Sequence, residues 1–94
     1  MKIIGLIPAF NEEENIVDTV SSLLLNCPDV DYIVINDCSC DQTRSILRKN
    51  NFNYLDLPIN LGIGGAMQTG YKYALEHEYD IAFQFDGDGQ HRAE

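Results

Sequence analysis

Asp86 and Asp88 stand one glycine apart in Asp86-Gly87-Asp88-Gly89-Gln90-His91, directly after the apolar run Ile81-Ala82-Phe83-Gln84-Phe85. Two bare carboxylates so close repel each other, and a divalent cation held by hard oxygen donors removes that repulsion. Such a cation, Mg2+ or Mn2+, usually completes its shell with substrate phosphates. The chemistry this spacing suggests is therefore a metal and diphosphate site. Gln90 can add a carbonyl oxygen, whereas the nitrogen of His91 is a poorer donor for magnesium. The plainer reading is a turn, since Asp-Gly pairs are common wherever a chain reverses. Placement at the exit of a buried strand favours the site, because ligands of open α/β sheets bind outside the carboxyl ends of the strands.

Asp37, at the end of a second apolar run, can accept hydrogen bonds from a ribose or from the N–H edge of a base. Its alternative role is an Asx turn, and Asn36 and Asp41 fit turn and cap roles. Gly62-Ile63-Gly64-Gly65 lacks both a P-loop lysine and the G-x-G-x-x-G spacing. It is either a flexible lead into a helix or a place where backbone approaches a ligand closely, with Asn60 holding the loop. Tyr71, Tyr73 and Tyr79 are packing residues, and His77 is a helix-terminal histidine. Cys27, Cys38 and Cys40 are odd in number, and Cys38-Ser39-Cys40 lacks the spacer of zinc knuckles and redox motifs. They are expected as free thiols in a reducing compartment.

The elements that must position these groups follow from periodicity. Ile3 to Ile7 is an apolar run ended by Pro8, so it is expected as the first strand. Asn11 is placed to cap a helix whose first turn carries Glu12, Glu13 and Glu14. Ile16, Val20, Leu23 and Leu24 recur at helical spacing on its inner face. Tyr32 to Ile35 is the second strand, apolar throughout as when both faces are covered. Asp41 caps a short helix to about Lys49, with Ile46 and Leu47 inward. Phe52 to Leu57 is a third strand, placed at an edge by Pro58. A helix then runs to about His77, with Ala66, Gly70, Tyr73 and Ala74 against the sheet, and residues 81–85 are the fourth strand. This alternation predicts a doubly wound, mostly parallel α/β sheet in the order 3-2-1-4. The loops after strands one, two and four then converge on one crevice.

Composition bounds the partners. The chain has 94 residues, 45% of them hydrophobic and 22% charged, and carries a net charge of −9. That balance fits a small folded domain with a thin core. The charge argues against nucleic acid as a partner, and a nucleotide ligand needs a metal or backbone amides to offset it. Met1 to Pro8 is too short and too soon broken by proline for a signal peptide, and no run approaches the roughly 20 apolar residues of a membrane span. Cytoplasmic residence is the default expectation, with a peripheral position at the inner face of the membrane open to the full-length protein.

Four blocks, taken together, carry a resemblance: Pro8-Ala9-Phe10-Asn11-Glu12-Glu13, Val34-Ile35-Asn36-Asp37-Cys38-Ser39-Cys40-Asp41, Asn60-Leu61-Gly62-Ile63-Gly64-Gly65-Ala66, and Asp86-Gly87-Asp88-Gly89-Gln90-His91. In order and spacing they resemble the GT-A-fold glycosyltransferases of the large inverting family that includes dolichol-phosphate mannose synthases. The resemblance implies transfer of a sugar, with inversion, from a UDP- or GDP-sugar to a lipid-phosphate or glycan acceptor. It implies a nucleotide contacted by Pro8, Ala9, Phe10, Asn11, Glu13, Asp37, Asn60, Gly62, Asp86 and Gly87. It further implies Mg2+ or Mn2+ on Asp86 and Asp88, the DXD pair, with Gln90 as the added ligand of the polyprenyl-phosphate branch. Asn36, Cys38 and Ile63 depart from the family pattern, in place of an aspartate, a turn glycine and a basic or small residue. Residues 1–94 are expected to be the nucleotide-sugar-binding part of a partial domain whose acceptor half, with any general base, is absent. An exposed sheet edge in such a part predicts self-association. Two other classes remain open: a non-catalytic acidic α/β module of receiver or flavodoxin type, and a sugar-phosphate nucleotidyltransferase. A receiver needs an acid cluster after its first strand and a phosphorylatable aspartate after its third, where this chain has Pro8-Ala9 and Pro58-Ile59; a nucleotidyltransferase usually has a glycine- and lysine-rich loop after its first strand, where this chain has Asn11-Glu12-Glu13-Glu14.

Overall fold

The computed structural model describes residues 1–86. Seven elements alternate: β1 (Ile3–Ala9), α1 (Ile16–Asn26), β2 (Asp31–Asn36), α2 (Thr43–Lys49), β3 (Tyr54–Asp56), α3 (Gly62–Glu76) and β4 (Ile81–Gln84). The sheet is parallel throughout, in the expected order β3-β2-β1-β4. β1 is central, pairing Leu6 with Ile33 on one side and with Gln84 on the other.

Residues of β1 alternate between two cores, as the two-residue period of a strand requires. Ile4 and Leu6 join Ile33 and Ile35 beneath Ala66, Met67 and Ala74 of α3. Ile7 and Ala9 join Val34 on the other face, under Ile16, Val20 and Leu23 of α1 and Leu47 of α2. Gly70 lets α3 lie close, since a Cβ there would stand 3.1 Å from Cδ1 of Leu6.

Three local expectations are corrected. Asn11 does not cap α1: it has φ 54, and the helix begins only at Ile16 after a turn in which the Glu12 carbonyl accepts the N–H groups of Asn15 and Ile16. The three glutamates therefore precede the helix, and Asp18 is the acid of its first turn. Leu24 lies on the outer side at 44% exposure, whereas Thr19 is buried, its hydroxyl donating to the Asn15 carbonyl at 2.9 Å. The fourth strand is not fully buried: Ile81 is exposed and Phe83 and Phe85 half-buried, because β4 pairs with β1 alone among the described residues.

The remaining boundaries move by a few residues. β1 runs through Pro8 to Ala9. β3 keeps three residues and its edge position. Both α2 and α3 end in Schellman turns. Asn51 and Phe52 donate to the Arg48 and Leu47 carbonyls, and Glu78 and Tyr79 donate to those of Leu75 and Ala74. Lys2 binds the start of β1 to the α3–β4 junction: its N–H donates to Asp80 Oδ2 at 2.7 Å and its Nζ to the His77 carbonyl at 2.8 Å.

Candidate functional site

The carboxyl ends of β1, β2 and β4 open into a cleft of about 210 Å3 lined by Pro8, Ala9, Phe10, Glu12, Asp37, Ile63 and Asp86. Three of these seven side chains are carboxylates and none is basic. Phe10 and Ile63, both substantially exposed, give the cleft its apolar walls.

Asp37 is 3% exposed and held at three points. Its N–H donates to the Ala9 carbonyl at 2.8 Å, its carbonyl accepts from Asn60 Nδ2 at 3.1 Å, and its Oδ1 accepts the Leu61 N–H at 2.7 Å. Its other oxygen, Oδ2, has no protein partner among the described residues. A buried carboxylate oxygen without a donor is costly, so this atom is open to a donor from outside the described residues.

The glycine block explains how Leu61 reaches Asp37. Gly62 has φ +78, a left-handed conformation that turns the chain into α3. A Cβ on Gly65 would stand 2.6 Å from Cβ of Leu61, so only glycine there leaves Leu61 in place. The segment therefore seats Leu61 and Ile63. Gly62 itself is not part of the cleft lining, and Asn60 holds the loop as expected.

The turn after β2 is tied to the loop after β1. Ser39 Oγ accepts the Asn11 N–H at 3.0 Å and donates to Asn36 Oδ1 at 2.5 Å, while Asn11 Oδ1 accepts the Cys40 N–H at 2.7 Å. The buried Asn36 passes its Nδ2 to Asp56 Oδ1 at 2.9 Å, and Arg44 Nε closes the chain at 2.8 Å from Asp56 Oδ2. An amide at position 36 suits this contact, because a carboxylate would face Asp56 with like charge. Cys38 has φ 59, the conformation for which glycine is preferred, and its thiol lies 3.6 Å from the Pro58 carbonyl. The three cysteines are free thiols.

Asp41 caps α2 as expected: its Oδ1 accepts the Thr43 N–H at 2.9 Å and the Thr43 hydroxyl at 2.6 Å. Burial pushes its carboxyl up, but these bonds and the Glu13 N–H outweigh that and hold it below the usual value.

The structure thus brings Pro8, Ala9, Phe10, Asp37 and Asp86 together, and gives Asn11 and Asn60 supporting positions. Glu13 is not brought to the cleft. Its Oε1 accepts the Gln42 N–H at 2.8 Å, and Glu12 lines the cleft instead. Glu12 and Ile63 were missed by the sequence reading. Asp86 stands at the exit of β4, its Oδ1 accepting from Gln84 Nε2 at 2.7 Å. Gly87, Asp88 and Gln90 lie outside the described residues. Among the described residues no cluster of three metal-ligating side chains forms, and no helix is long and apolar enough to cross a membrane.

Comparison with known proteins agrees with this fold. The Micrococcus luteus undecaprenyl-phosphate mannosyltransferase is 30% identical over 99 residues, covering 100% of this chain and 41% of that protein. The Methanococcus voltae UDP-N-acetylglucosamine–dolichyl-phosphate N-acetylglucosaminyltransferase is 38% identical, covering 92% and 41%. The Staphylococcus epidermidis poly-beta-1,6-N-acetyl-D-glucosamine synthase is 36% identical, covering 86% and 21%. The chain therefore spans less than half the length of these relatives. Among solved structures, Staphylococcus aureus TarS 1-349 in complex with UDP superposes with a TM-score of 0.77 at 28% identity, covering 94% of this chain and 28% of that one. This likeness identifies the four-stranded sheet as part of a GT-A-type fold. The profile described as glycosyl transferase family 2 matches residues 6–94, nearly the whole chain, and the chain belongs to that family.

Proposed function

We propose that this chain is the donor-binding part of a metal-dependent, inverting glycosyltransferase that moves a sugar from a nucleoside diphosphate to a polyprenyl phosphate or a glycan. The observation that carries the reading is the cleft itself. Glu12, Asp37 and Asp86 line it with no lysine or arginine among the described residues, so a diphosphate enters only with a cation to offset the charge.

The donor set fits such an ion. Asp86 offers a carboxylate oxygen at the strand exit, and the set proposed with it, Asp88 and Gln90, adds only hard oxygens, as Mg2+ or Mn2+ requires. When bound, the ion supplies positive charge to the departing diphosphate. The chain's own part is placement. Asp37 fixes the nucleoside through its free oxygen, Phe10 and Ile63 shield it from water, and Asp86 sets where the diphosphate lies. A phosphate acceptor is already an anion and needs no base, whereas a hydroxyl acceptor needs one. The relatives' names, which cover both acceptor kinds, support the pair of acceptors proposed.

Calorimetric titration of the protein with UDP and GDP, with Mn2+ or with chelator, tests this. Binding is expected with metal, weakened at least about tenfold without it and by Asp86→Asn. Equal affinity in both conditions overturns the metal role, and no binding of either nucleotide overturns the donor reading.

A further inference from the structure

We infer that Asn36 is a positioning residue for the cleft: its amide, locked in one orientation between Ser39 and Asp56, holds the segment from which Phe10 and Glu12 line it. This rests on the donor-binding reading above and goes further by naming what keeps that wall of the cleft in place.

Phe10 and Glu12 both line the cleft, and Asn11 between them does not. Asn11 has a left-handed backbone, φ 54, so the directions its neighbours take depend on what fixes it. Two bonds do so: Ser39 Oγ accepts its N–H at 3.0 Å, and its Oδ1 accepts the Cys40 N–H at 2.7 Å. The first of these continues inward. A backbone N–H can only donate, so Ser39 accepts from it and sends its own hydrogen to Asn36 Oδ1. At the far end the Asp56 carboxylate can only accept, and it takes Asn36 Nδ2 on Oδ1 at 2.9 Å and Arg44 Nε on Oδ2 at 2.8 Å. With a donor-only group at one end and an acceptor-only group at the other, the amide between them has a single arrangement. Asn36 is 2% exposed, so neither of its ends can exchange its partner for water.

A carboxylate at position 36 keeps the Ser39 bond and loses the other, because its second oxygen then faces an oxygen of Asp56. The two move apart, and the strain passes through Ser39 to Asn11. Exchanging the two side chains removes the conflict. Ser39 then donates to one oxygen of the position-36 carboxylate, the position-56 NH2 donates to the other, and the position-56 amide oxygen accepts from Arg44.

The test is a titration with UDP and GDP in the presence of Mn2+, at a temperature where circular dichroism shows each protein folded. A role in stability alone moves the melting temperature and not the affinity of the folded protein. Asn36→Asp is expected to bind nucleotide at least about fivefold more weakly than wild type, and the double variant Asn36→Asp with Asp56→Asn to return to within about twofold. Wild-type affinity in folded Asn36→Asp, or a double variant no tighter than Asn36→Asp, overturns the inference and leaves the donor reading intact. A wild type that binds neither nucleotide overturns the donor reading itself. If Asn36→Asp does not fold, Ser39→Ala decides, since it removes the link between Asn11 and Asn36 without adding charge: a loss of at least about fivefold supports the inference, and unchanged affinity overturns it.

Discussion

Glu78 sits at the residue after the cap of α3 with φ 62, where the left-handed backbone of the Schellman turn favours glycine. It is exposed and precedes β4, at the end of that strand away from Asp86. Glu78→Gly should therefore raise stability by about 0.5–1 kcal/mol, net of the greater freedom of glycine in the unfolded chain, without changing nucleotide affinity. A urea-denaturation midpoint checks it. The neighbouring Tyr79 donates its hydroxyl to Asp31 Oδ2 at 2.7 Å, and that bond, with burial and the Asp31 charge, pushes its pKa from 10.0 up to about 12. A raised folded value means the contact stabilises fully below pH 10 and is lost as pH rises through about 12. An absorbance titration should show one tyrosine ionising near pH 12, and Asp31→Asn should bring that value down. At this scale the sequence was legible where chemistry fixed a residue type, as at Asp37 and Asp86. It was not legible where a turn decided between neighbours. Glu12 and Glu13 are identical in type, and only the delayed start of α1 sends one to the cleft and the other to Gln42.

Elements were legible through their periods, and their ends were not. The alternating apolar runs located the four strands and three helices of the described residues, but Asn11, an ordinary helix cap by type, is taken by Cys40 in a loop 29 residues away. A long-range partner of that kind leaves no local signal. The glycine block shows the same thing in reverse. As a phosphate loop it has the wrong spacing, yet the structure makes α3 the element that carries Leu61 to Asp37. Gly65→Ala should push Leu61 aside by its 2.6 Å conflict at Cβ. We expect a loss of about 1–3 kcal/mol in stability, and a fall in nucleotide affinity larger than a surface substitution on α3 such as Lys72→Ala produces. Calorimetry beside thermal melting separates the two effects.

For the whole molecule, the order β3-β2-β1-β4 was readable because alternating strand and helix leaves few unknotted parallel arrangements. The exposure of β4 was not readable, since an apolar, aromatic run looks the same at an edge as at a centre. The central place of β1 has a temporal side. In the order of synthesis β1 meets β2 about thirty residues later but must wait for residue 81 to gain its other neighbour. Half of its backbone groups therefore stay unpaired until residue 81 has been made, and parallel pairings across so long a separation form slowly. Pulse-labelled amide exchange during refolding should find the β1–β2 pair protected before the β1–β4 pair. The strand from which Asp86 emerges is thus set after the other described strands, and nucleotide binding should be acquired only once it has joined the sheet.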